Sequence, residues 1–342
     1  MRRVVVKPGD IVVESASIPE PAASEVLVQT TVTGICGSDT HAARGRHPFV
    51  PLPYYPGHEV VGVIRSVGSG VRDFAAGERI TVEPTLPCSE CKMCRTGRSN
   101  LCEHLRFFGC GYGQGGMADY FTVPASRLHR IPDGLSDLQA ALIEPLATPV
   151  HAVRLSGGVQ DKAVVIIGAG TIGLLVLAAV RHHGARHIVM TDVLASKRER
   201  AHRLGADTVI DAALPDALEV IRAELGESAD VVFDCVSIQS TLDQAVGLAG
   251  KGGTIMIVGV ASAPVQAPLP QVQEMQLRIQ GSATYLAEDY REAIEIISTG
   301  EVRSEDFITS KFALAEAANA FEASSGGEEV KVVLLGTRES SR

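Results

Sequence analysis

Four cysteines crowd together at Cys88, Cys91, Cys94 and Cys102. A C-x2-C-x2-C-x7-C loop can close four thiolates tetrahedrally around one zinc and leave no place for water, which makes it a structural metal site. The chain has seven cysteines, an odd number, and this bunching favours metal over disulfides in a reducing compartment. A second motif, Gly168-Ala169-Gly170-Thr171-Ile172-Gly173, directly follows the apolar run AVVII and opens a helical stretch. In that setting Gly168 permits a tight turn, Gly170 lets the backbone approach a pyrophosphate, Gly173 lets helix pack on strand, and Thr171 and Ile172 lie in the helix's first turn. Asp192 follows Gly173 by 19 residues, at the end of the HIVMT run. There a carboxylate accepts both ribose hydroxyls and repels a 2′-phosphate, so NAD is expected over NADP.

The third constellation is scattered. It comprises Cys36, Ser38, Asp39 and His41 in the run GICGSDTH, His58 and Glu59 in PGHE, and Glu144 before Pro145. A single histidine or glutamate is more often a satisfied core or surface group than a ligand, so these residues carry weight only as a set.

Residues 1 to about 147 hold short β-type runs (VVVK, EVLVQTTV, VVGVIRSVG, RITVE) cut by Gly and Pro turns, which suits an antiparallel, barrel-like domain. From about 160, strand candidates AVVIIGAG, HIVMTD, DTVID, DVVFDC and GTIMIVG alternate with helical stretches such as 172–183 and 196–204. That rhythm indicates a doubly wound parallel sheet. Gln276–Gly281 reads as a sixth strand, after which a helix over 289–299 and a last strand Val330–Leu335 break the pattern and return to the first domain. The expectation is an α/β protein with one domain from 1–147 and 282–342 and a cofactor domain from 148–281. A chain of 342 residues has room for two cores.

The formal charge, 31 minus 40 or -9, with no long basic run, gives no support for nucleic acid or anionic lipid as partner. The N-terminal run MRRVVVKPGDIVVES is too short and too soon charged for a signal peptide, and the longest apolar stretch, near Ile172 to Val180, is too short to span a bilayer. A cytoplasmic enzyme is expected.

Taken together these motifs resemble the medium-chain zinc-dependent alcohol dehydrogenase family, over almost the whole chain from the first strands to VKVVLL. The resemblance implies a GroES-like catalytic domain and a Rossmann cofactor domain, NAD, and two zinc ions per chain. Cys36 and His58 would bind the catalytic zinc, with Glu59 and Glu144 as remaining or exchanging ligands, and Asp39 would hold the His58 ring. Ser38 would take the hydroxyl proton and His41 carry it towards solvent. Thr148 would line the nicotinamide, Val258, Gly259 and Val260 the nicotinamide ribose, and Lys197 the adenosine ribose. Family members are often homodimers or homotetramers. His151, His182, His183 and Cys235 match no such role.

Glu144 stands where classical alcohol dehydrogenases carry a cysteine, so the chain looks like the polyol branch that includes sorbitol and threonine dehydrogenases. An oxygen ligand donates less charge than a thiolate and leaves zinc the stronger Lewis acid. The loop 42–55, with Arg44, Arg46 and His47 beside Phe49, Tyr54 and Tyr55, offers polar groups able to bind several hydroxyls of a small polar substrate. The readings set against this are threonine or a simple secondary alcohol as substrate, an NADP-dependent or zinc-free reductase, and a non-catalytic zinc-stabilised nucleotide-binding protein. The intact cysteine lobe and Asp192 oppose the reductase. The scaffold would need no Cys36, Ser38, His41 and His58 together.

Overall fold

Alternating valines place one face of each N-terminal strand in an apolar core, and the computed structural model, which describes residues 1–47 and 50–337, shows how they assemble. It divides into two compact units, Met1–Pro145 with Leu286–Arg342, and Leu146–Tyr285.

In the first unit a seven-stranded sheet runs Ile308–Ala313, Lys331–Leu335, Glu25–Gly34, Glu59–Val67, Arg79–Val82, Leu128–Arg130, with Tyr120–Pro124 also paired to Glu25–Gly34. All neighbours are antiparallel except the first two strands. Val26, Val28, Val60, Ile64, Ile80 and Phe121 fill its interior. The register sets Gly34 opposite Glu59 on one side and Val333 on the other. A Cβ at Gly34 would run into the Glu59 carboxylate, so only glycine leaves room for an acid there.

The second unit is a six-stranded, wholly parallel sheet ordered Thr208–Asp211, His187–Asp192, Ala163–Ile167, Ala229–Asp234, Ala249–Ile257, Arg278–Gly281. Its central strand Ala163–Ile167 is buried throughout, as an apolar run covered on both faces must be. Helices Thr171–His182 and Ala195–Arg203 follow the first two strands in chain order. This is the Rossmann arrangement the alternation implied, with the order reversing beside the glycine-rich turn. The sixth strand begins at Arg278, two residues after Gln276, because Gln276 takes a left-handed turn at φ 53 before it. Among the described residues no helix is long and apolar enough to cross a membrane.

Candidate active site

The cysteine lobe lies in a loop of the first unit, where Ser89 turns left-handed at φ 64 to bring the chain back on itself. All four sulfurs lie within 4.8 Å of one another. The Cys88–Cys94, Cys91–Cys94 and Cys91–Cys102 separations are 4.0, 3.6 and 3.9 Å. Four sulfurs about 2.3 Å from one zinc at tetrahedral angles would stand about 3.8 Å apart, so this donor set fits that ion. Backbone N–H groups favour the thiolate form at Cys88 and Cys91. Those of Cys94 and Glu103 pull Cys91 down to about 6, and those of Glu90 and Cys91 lower Cys88. Burial and the neighbouring thiols push Cys94 up to about 12.

The second donor group forms where the strand Glu25–Gly34 ends and the short helix Gly37–Ala43 begins. Cys36 is the residue before that helix, and its N–H donates to Asp39 Oδ2 at 3.0 Å. His58 and Glu59 open the neighbouring strand. One donor atom each from Cys36, His58 and Glu59 lie within 4.8 Å of one another, and His58 and Glu59 are almost wholly buried. His58 hydrogen-bonds the Cys36 thiol, while its buried Nδ1 has no partner closer than Asp39 Oδ1 at 4.0 Å. A thiolate, an imidazole nitrogen and a carboxylate converging here are a zinc donor set, and Asp39 behind the ring is the acid such a ligand needs. Burial pulls the His58 ring down, but Asp39, Cys36 and Glu144 outweigh it and hold it well above the usual histidine range. Burial also pushes Asp39 up, against the lowering effect of His58.

Glu144 is buried in the first turn of the helix Ile143–Leu155 and acts on the charge of His58, but it stands outside the three that converge. Glu59 has a partner the sequence did not indicate. Lys331, 4% exposed, reaches across Gly34 and donates to Oε1 at 2.7 Å and Oε2 at 2.9 Å. The charges of Glu59 and Cys36 outweigh burial and raise the Lys331 ammonium above its ordinary value. The available signal was a lysine opening an apolar strand, the second residue of VKVVLL.

Ser38 is half-buried and His41 exposed, one turn apart on the helix Gly37–Ala43. Phe107 meets the His58 ring edge-on at 5.5 Å between centroids. Close by, burial pushes the Cys110 thiol up to about 12.

The loop expected to bind hydroxyls divides. Arg44 and Arg46 are exposed and His47 is half-buried, its ring lowered first by burial and then by His41 and His58. Tyr54 does not face solvent. It is 3% exposed in the apolar core, because a buried phenol needs an acceptor and Asp39 Oδ1 provides one at 3.1 Å. Tyr55 lies under the Arg3 guanidinium, 4.2 Å from the ring centre. Tyr54 therefore corrects the expectation of a hydroxyl offered from this loop, since its own is taken up by Asp39, and Phe49 lies outside the described residues.

In the second unit Gly168 turns at φ 95 and donates its N–H to Thr191 O at 2.8 Å. A Cβ at Gly173 would collide with Gly168 O. Gly170 precedes the helix, which has no side-chain cap, so its first N–H groups suit a pyrophosphate. Thr171 and Ile172 form the half-buried first turn. Asp192 is held at the strand end by Ala169 N–H on Oδ2 at 2.8 Å and Leu194 N–H on Oδ1 at 2.9 Å. Lys197 is half-buried beyond it, and its neighbour Arg198 donates to Asp192 O and pairs with Asp211. Val258 and Gly259 both donate to Asp234 O, at 2.9 and 3.0 Å, and Val260 beyond them is exposed. Thr148 is half-buried in the helix Ile143–Leu155. His182 and His183 pack edge to face, and burial raises the Cys235 thiol.

A unit carrying two donor sets suited to zinc, in one chain with a dinucleotide fold, defines the class of zinc-dependent dehydrogenases. Residues 22–133 match the family model for the alcohol dehydrogenase GroES-like domain and residues 171–299 that for zinc-binding dehydrogenase. Sheep (Ovis aries) sorbitol dehydrogenase is 32% identical over 97% of this chain and 95% of its own. A structure from Sinorhizobium meliloti 1021, described as a zinc-binding dehydrogenase bound to NADP, is 34% identical with a TM-score of 0.92, covering 98% of both chains. An Escherichia coli CFT073 alcohol dehydrogenase in complex with NADH is 29% identical with a TM-score of 0.91, covering 98% of this chain and 99% of its own. The chain belongs to the medium-chain zinc-dependent alcohol dehydrogenase family, in its polyol branch.

Proposed function

We propose that the chain oxidises one secondary hydroxyl of a small polyol, cyclitol or aminocyclitol, with NAD as hydride acceptor. The convergence of Cys36, His58 and Glu59 over a buried Asp39 carries this reading. Cys36 and His58 would hold the catalytic zinc, with Glu59 and Glu144 as the remaining or exchanging carboxylates, and Cys88, Cys91, Cys94 and Cys102 would hold the structural zinc. Bound zinc supplies a Lewis acid for the substrate hydroxyl, and the nicotinamide supplies the acceptor for hydride. Ser38 Oγ receives the hydroxyl proton, and His41, three residues on and exposed, passes it to water. Phe107 closes one side of the His58 ring against water. Asp192 orients the adenosine ribose and selects NAD over NADP, and Lys197 lies near that ribose. Thr148 and the Val258–Val260 segment line the nicotinamide half.

An oxygen ligand at Glu144, together with the identity to sorbitol dehydrogenase, favours a highly hydroxylated substrate. The chain works as a homodimer or homotetramer in the cytoplasm, where the cysteine lobe stays reduced. The test compares kcat/KM for ethanol and benzyl alcohol against sorbitol, myo-inositol and a 2-deoxy-aminocyclitol under the same NAD, alongside zinc content. Two zincs per chain and a preference for the polyols are expected. One zinc would refute the catalytic site, and a preference for the simple alcohols would refute the polyol.

A further inference from the structure

We propose that Tyr54 is a positioning residue for the catalytic zinc, acting on Cys36 and His58 through Asp39. The role rests on the zinc site assigned above. The Asp39 residue is 1% exposed, and among the described residues its carboxylate accepts two hydrogen bonds, Cys36 N–H on Oδ2 at 3.0 Å and Tyr54 Oη on Oδ1 at 3.1 Å. The oxygen that Tyr54 holds is also the one facing His58 Nδ1 at 4.0 Å. A single hydroxyl therefore fixes the plane of an acid that touches the backbone of one zinc ligand and faces the ring of the other.

The placement of Tyr54 is itself tightly determined. Its backbone N–H and C=O both pair with Val6, each at 3.0 Å, tying it to the N-terminal strand Arg2–Lys7. Its ring packs in the cluster with Val4, Val6, Ala42 and Met117, so the hydroxyl has no solvent to turn towards. A buried carboxylate that loses one of two donors must reorient or recruit another group, because leaving it half-satisfied is costly. The His58 ring faces the same oxygen at 4.0 Å, and a reorientation towards it would shift a zinc ligand. Groups behind metal ligands typically contribute 10- to 100-fold to metal retention, and one that acts through an intervening acid belongs at about the lower end.

The experiment follows zinc release from the holoenzyme to an excess of a chromogenic chelator. Wild type should release two zincs in two phases. Tyr54→Phe keeps the ring and removes only the oxygen; it should speed the phase of the catalytic zinc by about 10-fold and leave the phase of the cysteine lobe unchanged. In an Asp39→Asn background the same change should add less than about twofold, since the intermediary is gone. The visible absorption of the cobalt-substituted catalytic site should also shift in Tyr54→Phe. An unchanged catalytic-zinc phase, or one unchanged while the melting temperature falls, would overturn the role and leave Tyr54 a packing residue. A full effect persisting in the Asp39→Asn background would overturn the route through Asp39. A wild type with a single zinc would overturn the site and this role with it.

Discussion

Replacing Lys331 by Met removes the ammonium from Glu59 while nearly preserving volume. Glu59 is 1% exposed and Lys331 4%, and Gly34 offers the carboxylate a pocket against the backbone and no path to water. The lost groups are two short hydrogen bonds to Glu59 and one at 3.3 Å to Ile35 O. Removing one partner of such a buried pair costs about 3–5 kcal/mol, because the remaining charge keeps its desolvation penalty without compensation. For a unit of this size about 1 kcal/mol moves the melting temperature by roughly 2–4 °C, so the mutant should melt roughly 6–20 °C lower. Calorimetry with and without chelator measures it, and the loss should be larger without zinc, whose charge otherwise faces the same carboxylate. Combining Lys331→Met with Glu59→Gln makes the pair neutral and should recover more than half of the loss. A Lys331→Met protein melting within about 2 °C of wild type, or a double mutant no better than the single, would refute the role of Lys331 as the counter-charge of Glu59.

Cys102→Ser should lower zinc content from two per chain to one and reduce thermal stability, read by atomic absorption and calorimetry, since structural zinc contributes directly to folding free energy. Ser38→Ala should retain zinc and NAD yet lower kcat about 100-fold, and His41→Ala should lose less because water can replace an exposed relay group; steady-state kinetics separate the two. Asp192→Ala should raise the ratio of kcat/KM for NADP over NAD by about 10-fold or more, while its two unpaired N–H groups, on Ala169 and Leu194, lower kcat/KM with NAD. A wild type that uses both cofactors equally would remove Asp192 from the selection of NAD.

What the sequence disclosed most fully was local in the chain. The cysteine lobe spans one short loop, so its spacing already encodes the sulfur separations of 3.6 to 4.0 Å. The glycine turn likewise lies between a strand and the helix Thr171–His182, where periodicity marks both and places the helix within a residue of the expected 172–183. Lys331 was not legible because its partner is 272 residues away and only sheet register brings them together. Tyr54 was misread for a different reason. Composition marks a tyrosine as able to bind hydroxyls, but which way it points depends on its pairing with Val6, and the acceptor it found was Asp39. Glu144 was legible as an acid of the site, yet its distance from the converging three depends on where its helix starts.

The charges around the site explain why these less legible residues are there. Cys36, Asp39, Glu59 and Glu144 are four acidic groups gathered about one histidine, and three of them are almost wholly buried. Isolated buried carboxylates would be prohibitively costly, so each must be neutralised, paired or set on a cation. Lys331 compensates Glu59 from the strand side, while Tyr54 and the Cys36 N–H satisfy Asp39 from beneath. Against one ammonium the formal balance remains strongly negative, and a divalent cation at the point where Cys36, His58 and Glu59 meet brings it close to neutral. The donor geometry and the gathered acids both suit a cation there, and the two buried groups that the motifs did not reveal, Lys331 and Tyr54, are those that compensate Glu59 and Asp39 inside a folded core.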